Sequence, residues 1–404
     1  MPTILSQTAS GSFSESPIVV DVQATSLLTS SSLKLVCELY VWDGLSSAQP
    51  ATPSYTLKKF PLNDGANKKA VFDFSPILKS FTTASLGEQL DSATSNPHYF
   101  TYEVYEEARN TSNQLITGSH STPSNGPFMA TQGYLKWGEK LDLAGSDSLS
   151  DLVDSFPLLT SAPISQSIIS TDVPFYFAAW ARSDKSVSRP TNVYFYSSEG
   201  DTQSIPLTSG QTDSRYTVGS NYITSSTLTS WKNGGATWVK MVARNSTTPV
   251  SPVYHIDLDC QKKYTPQRIL FKNRAGGYDQ FEFGLVSVNG MNAETKTYQQ
   301  NSMNMTNGQY NPQIGTTTYD AQATQVISVN TDYISEDYNE FFKEMMVSEE
   351  IYLVEPETTS TLYGATWTPL QLESKNVTFK KQEVDKLIQY TFNFRYGTPY
   401  KLVL

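Results

Sequence analysis

The feature that most constrains this 404-residue chain is a strand-period alternation of apolar side chains, broken about every ten residues by turn-forming clusters. Leu35, Cys37, Leu39 and Val41 alternate with Val36, Glu38, Tyr40 and Trp42. Successive side chains of a strand point to opposite faces, so this run is apolar on both sides and belongs inside a sheet. Similar runs recur at Ile18 to Ala24, Phe72 to Phe74, His98 to Glu106 and Phe128 to Trp137. A second set covers Pro174 to Arg182, Asn192 to Ser197, Tyr216 to Thr224, Ala236 to Arg244 and Val253 to Cys260. A third begins with a hairpin, Arg268 to Asn273 and Asp279 to Val286, around the turn Arg274-Ala275-Gly276-Gly277, and ends with Ile351 to Val354, Trp367 to Glu373 and Tyr390 to Tyr396.

Helical period appears in two places. Ser75-Pro76 opens a short segment through Phe81, with proline where the first turn tolerates it. The longer helix is predicted over 335–347, with Ser335 as N-cap and Glu336 and Asp337 in the first turn, where acidic groups suit the helix dipole. Tyr338, Phe341, Phe342, Met345 and Met346 form one apolar stripe that must dock on a sheet.

These patterns predict a mainly β protein of two or three β-sandwich-like domains, the C-terminal one carrying a single packed α-helix. The expected divisions are 1–139, 140–262 with a Ser-rich linker at its start, and 263–404. A polar, Gly- and Asn-rich stretch near 289–315 is expected to be an extended arm or a mobile loop. Composition agrees, with 24 Tyr, 19 Phe and only 17% charged residues, because aromatic side chains suit a pleated, half-buried surface.

A net charge of −10 without basic clusters excludes a phosphate-gripping surface, so no nucleic-acid partner is expected. The first residues, Met1 to Ser10, lack the basic and apolar regions of an export signal. No run reaches the ~20 apolar residues of a membrane span, and a soluble protein is expected. Cys37 and Cys260 are read as small buried hydrophobes, with a disulfide left open.

Catalytic motifs are absent from the sequence. His98, His120 and His255 are the only histidines, and none follows a G-x-S-x-G elbow. Glu106-Glu107 and Glu349-Glu350 are adjacent pairs; on a strand such pairs diverge, so each is read as solvated rather than as an acid and base across a cleft. Arg274-Ala275-Gly276-Gly277 lacks the lysine and hydroxyl of a phosphate loop. His255, Asp257 and Asp259 share one strand face and could hold a divalent cation; the same spacing describes the solvated face of an amphipathic strand. No enzyme activity and no cofactor are expected.

The hairpin from Phe271 through Asn273, Arg274, Gly276, Gly277 and Tyr278 to Phe283 resembles a pattern in structural proteins of tailed bacteriophages, especially those of Bacteroidetes and aquatic hosts. Its neighbours in that likeness are Ser16-Pro17-Ile18, Tyr40-Val41-Trp42-Asp43-Gly44, Phe72 to Ile77, Gly133-Tyr134-Leu135-Lys136-Trp137-Gly138-Glu139, Ser348 to Leu353 and Tyr390 to Phe394. The resemblance implies a non-enzymatic virion subunit of the tail, baseplate or neck, packed against copies of itself and neighbouring virion proteins. Asn273, Arg274 and Tyr278 are its candidate interface residues. The alternative is an adhesin of the same particle that binds a receptor or a glycan; a capsid-decorating protein or a β-sandwich glycan hydrolase is the more distant reading.

Overall fold

The computed structural model describes the chain apart from residues 8–10, 29, 31, 44–47, 65–66, 83–93, 96–97, 124–126, 135, 137–157, 169, 183–189, 208–215, 259–262, 307–308, 356–365, 375, 381–387 and 398–404. The fold is mainly β, built of several largely antiparallel sheets with three helices among the described residues.

In the N-terminal region two sheets close on one core. One contains β1 (Thr3–Gln7), β3 (Val19–Gln23), β6 (Leu62–Asp64) and β7 (Asn67–Asp73); the other contains β2 (Gly11–Phe13), β4 (Lys34–Asp43), β5 (Tyr55–Lys59), β9 (His98–Arg109), β10 (Leu115–Thr117) and β11 (Phe128–Thr131). The alternation read along β4 has a direct cause: Leu35, Cys37, Leu39 and Val41 share a core with Val20, Val22 and Phe72 of the facing sheet and with Phe74 at the start of the helix that follows it. Cys37 is a fully buried free thiol; Cys260 lies outside the described residues. Helix α1 (Ser75–Phe81) closes the end of this core with Leu78.

Of the four glutamates expected to be solvated, Glu106 and Glu107 are not, whereas Glu349 is exposed. Glu106 is fully buried, and its carboxylate accepts the backbone N–H groups of Thr25 at 2.7 Å, Ser26 at 3.1 Å and Leu27 at 2.6 Å. Burial alone would raise its pKa, but these three donors outweigh it and hold the carboxyl below its usual value. Glu107 is also buried and pairs with Lys58 at 2.5 Å. Adjacent residues do diverge, but here both directions lead into protein. Because the folded-state pKa of Glu106 is depressed, its contribution is complete above the unfolded carboxylate pKa, about 4.3, and is lost as pH falls through the folded value. Glu106→Gln is therefore expected to cost about 2 kcal/mol at pH 7, with the difference in urea midpoint from the parent shrinking at pH 3.

The middle region repeats the sandwich plan. One sheet contains β12 (Ser165–Ile168), β14 (Asn192–Ser197), β15 (Thr202–Pro206), β17 (Trp238–Asn245), β18 (Thr248–Pro249) and β19 (Tyr254–Leu258); the other contains β13 (Phe175–Arg182) and β16 (Tyr216–Ile223), with β8 (Thr94–Ser95) joining from the N-terminal region. Their common core includes Phe177, Phe195, Met241 and Ile256, and helix α2 (Ser225–Asn233) adds Leu228 and Trp231. The Ser-rich stretch expected as a linker is anchored where it is described: Leu158 and Leu159 are buried, and Leu159 N–H donates to Ala178 O at 2.9 Å.

The C-terminal region is one seven-stranded antiparallel sheet in the order β21 (Tyr278–Phe283), β20 (Gln267–Lys272), β24 (Ile351–Glu355), β25 (Thr366–Leu372), β26 (Thr391–Tyr396), β23 (Gln309–Asn330) and β22 (Val288–Thr306). Helix α3 (Tyr338–Val347) covers one face, and Phe341, Phe342 and Met345 sink into it among Phe271, Phe283 and Phe392. The helix starts three residues later than the sequence indicates. Ser335 is not the cap: its carbonyl accepts Tyr338 N–H at 3.3 Å in a turn, and Asp337 takes the N-cap position. On the opposite face Leu270, Tyr278 and Val354 pack against Val173 and Tyr176 of the middle region.

Candidate functional site: a polar keystone and a projecting arm

The hairpin of β20 and β21 contacts the N-terminal region, the middle region and helix α3. At its turn Gly276 has φ +80°, and a Cβ there would stand 2.4 Å from Gln132 O. A Cβ on Gly277 would meet Leu159 O at 2.4 Å. Tyr134 N–H donates to Arg274 O at 2.8 Å, and the same carbonyl would clash with a side chain at Gly133, whose φ is +130°. Glycine is required at these positions because backbone meets backbone there. Two segments of the sequence resemblance, around Gly133 and around Gly276, are thus halves of one contact.

Below the turn lies a buried polar network. Asp279 is enclosed and accepts four hydrogen bonds: Thr160 Oγ1 at 2.5 Å, Ser161 N at 2.8 Å, Ser161 Oγ at 2.9 Å and Asn273 Nδ2 at 2.9 Å. Burial raises its pKa against the pull of these donors. Asn273 also donates to Leu159 O at 2.7 Å, while its Oδ1 accepts the N–H groups of Ala275 and Gly277 at 3.0 and 3.1 Å, closing the turn from inside. Arg268, 2% exposed, donates to the carbonyls of Val173, Pro174 and Ser170 at 2.9, 2.8 and 2.5 Å and lies 3.6 Å from Glu282. Such polar groups are tolerated in an interior only when partnered, and here the partners come from the neighbouring region.

The candidate interface residues therefore point inward. Asn273 and Tyr278 are buried; Tyr278 O–H donates to Glu350 at 2.5 Å, and Lys272 sits 3.5 Å from the same carboxylate. Arg274 reaches Glu344 of helix α3 at 3.3 Å rather than a surface, and Lys136 joins at 3.5 Å. Lys136 and Lys343 hold the Glu340 carboxyl at about 2 by direct hydrogen bonds. Glu349 pairs with Lys79 of helix α1 at 2.6 Å. Apart from the Lys343–Glu340 pair within helix α3, these contacts join separate segments of the chain.

His255 and Asp257 share a strand face as expected, with Nε2 3.0 Å from Oδ1. The imidazole leans on Trp238 at 5.4 Å between ring centroids. The proposed third ligand, Asp259, lies outside the described residues. Asp257 also borders a cleft of about 880 Å³ between β12 and the C-terminal sheet, rimmed by Ile164, Phe281, Asp332, Tyr333 and Tyr338.

The polar stretch near 289–315, expected to be an extended arm or a mobile loop, takes the form of a β-hairpin arm. β22 and β23 form a single antiparallel hairpin of 19 and 22 residues, in register from Val288↔Ser328 to Thr306↔Gln309 with one irregularity at Lys296/Thr297. Among the described residues, only Val326–Asn330 of this hairpin pairs with the rest of the sheet. At ~3.4 Å per residue the free part extends roughly 50 Å. Val288 to Gln299 are exposed on both faces, with Met291, Tyr298 and Tyr319 at 48%, 46% and 65%. From Met291 to Gln325 the charged residues are Glu294, Lys296 and Asp320 alone, and Lys296 pairs with Asp320 at 3.2 Å.

No protein-family model matches the chain, and no curated protein does. Among solved structures the chain is similar to a marsupial T cell receptor at 8% identity, with 81% of this chain and 96% of that chain covered and a TM-score of 0.19. That score is too low for the likeness to bear on fold or function. No helix among the described residues is long and apolar enough to cross a membrane.

Proposed function

We propose that this chain is a non-enzymatic structural subunit of a tailed-phage virion, joined to copies of itself and to neighbouring virion proteins in a tail, baseplate or neck ring. The observation that carries the assembly part of this reading is the projecting hairpin. An isolated two-stranded ribbon is marginal in water, and exposed strand edges are usually blunted with charge. Here a long, nearly uncharged ribbon rich in Asn, Gln and Thr stands clear of its own sheet, as expected of an element that becomes ordered against another subunit. The keystone supports the same reading from the other side, because an arm that grips a neighbour must be anchored in a body that does not come apart. The phage context rests on the resemblance around Asn273 to Phe283 and its flanking segments.

A second reading, a glycan- or receptor-binding adhesin of the same particle, draws on the cleft beside Tyr333 and Tyr338. Tyrosine faces next to carboxylates offer both stacking and hydrogen bonds to a sugar. Sedimentation and particle imaging of the purified protein, run beside a glycan-binding screen, separate the two. A closed symmetric oligomer without glycan binding is expected. A monomer that binds a defined glycan overturns the assembly reading.

A further inference from the structure

On the outer face of the second N-terminal sheet, Glu38 of β4 and Glu103 of β9 are direct cross-strand partners. Like charges placed opposite one another destabilise a sheet, so this pairing calls for a compensating positive group. No lysine or arginine reaches either carboxylate through an ion pair among the described residues. The imidazole of His120 does, with Nδ1 2.9 Å from Glu103 Oε2. His120 arrives on the segment after β10, which is tied to the sheet by the bridge between Val104 and Ser121. One nitrogen and one oxygen from each carboxylate then lie within 4.8 Å of one another.

We propose that Glu38, Glu103 and His120 bind a divalent transition-metal ion of the zinc class. Imidazole with carboxylate oxygens is a donor set that such ions accept at roughly 2.0–2.2 Å. Donor atoms already within 4.8 Å need only a small inward movement to meet that distance. The surroundings hold the ligands as second-layer groups do in metal sites. Tyr105 stacks on His120 with ring centroids 4.4 Å apart and planes 15° apart, fixing the imidazole. Tyr105 and Tyr40 hydroxyls donate to the two oxygens of Glu38 at 3.1 and 3.3 Å. His120 is about half exposed, with its side chain at 48%, which leaves an entry route from solvent. Three protein ligands leave room for water in the fourth position, and the ion would staple the segment at 120–121 to the sheet.

Calorimetric titration of the full chain with zinc chloride tests this. One site per chain is expected, with affinity falling at least about tenfold in His120→Ala and unchanged in His255→Ala, which removes a separate histidine–carboxylate pair, His255 with Asp257. Because His120 is half exposed, the variant is expected to keep the parent melting temperature in chelator, so lost binding is not lost folding. No zinc binding by the parent, or equal binding by parent and His120→Ala, overturns the proposal, as does loss of the site in His255→Ala alone.

Discussion

Gly276→Ala is expected to lower stability by about 3 kcal/mol or more and to split the unfolding transition. Two costs act together. A side chain at φ +80° costs on the order of 1–3 kcal/mol, and a Cβ 2.4 Å from Gln132 O forces backbone from backbone, at roughly the same cost again. Neither flanking segment can yield easily, because Asn273 holds the turn from inside and Tyr134 holds Arg274 O from outside. The damage should therefore appear as separation of the N-terminal sandwich from the rest, seen by calorimetry as two transitions where the parent shows closer coupling. Gly200→Ala is the matched control: its φ is +94°, but nothing lies within 4 Å of the added Cβ. Its cost should stay near 1 kcal/mol, and the excess at Gly276 measures the docking contact itself.

The second large effect concerns helix α3. Phe342 is fully buried, with ring centroids 4.9 Å from Phe281, 5.1 Å from Phe392, 5.6 Å from Phe341 and 5.9 Å from Tyr390. Phe342→Ala removes the ring at the centre of that cluster, and neighbours drawn from β21, β26, the residue before β26 and the helix itself cannot collapse into the space together. About 3–5 kcal/mol is expected, read from the urea midpoint. Val347→Ala, at the exposed end of the same helix, should stay within about 0.5 kcal/mol. Alanine is a better helix former than either residue, so the pair separates loss of packing from a change in helix propensity.

Much of the fold was legible because a strand writes its burial pattern into every second residue. β4, β9, β14 and β26 fall where alternation in the sequence puts them, within a few residues at each end. Helix α2 was not legible, since Ser225–Asn233 offers only Leu228 and Trp231 as apolar contacts and is otherwise hydroxyl-rich. The one usable sign was Thr224, whose hydroxyl accepts Thr227 N–H at 3.3 Å as an N-cap. The strand structure of the arm was hidden for the opposite reason. Having no core to face, its strands show no alternation, although Asn307-Gly308 between them is the dipeptide favoured in two-residue hairpins.

The keystone and the Glu38–Glu103–His120 group were beyond local pattern altogether. Thr160 and Asp279 are 119 residues apart, and Glu38 meets Glu103 only through the pairing of β4 with β9. Spacing rules see neighbours along one element, whereas these groups are assembled by register between elements. The same limit explains Arg274, which sequence reasoning assigned to a surface and which the packing of helix α3 turns toward Glu344.

The central claim, assembly through the projecting hairpin, is tested most directly by removing the ribbon and leaving its root. Replacing residues 292–324 with Asn-Gly keeps Val326–Asn330, the stretch that pairs with β26, and closes the shortened strands with a two-residue turn. Sedimentation velocity of parent and truncated chain at matched concentrations should show a defined oligomer for the parent. The truncated chain should be a folded monomer with an unchanged melting temperature. An oligomer of the same size after truncation, or a parent that stays monomeric at every concentration, would contradict the account.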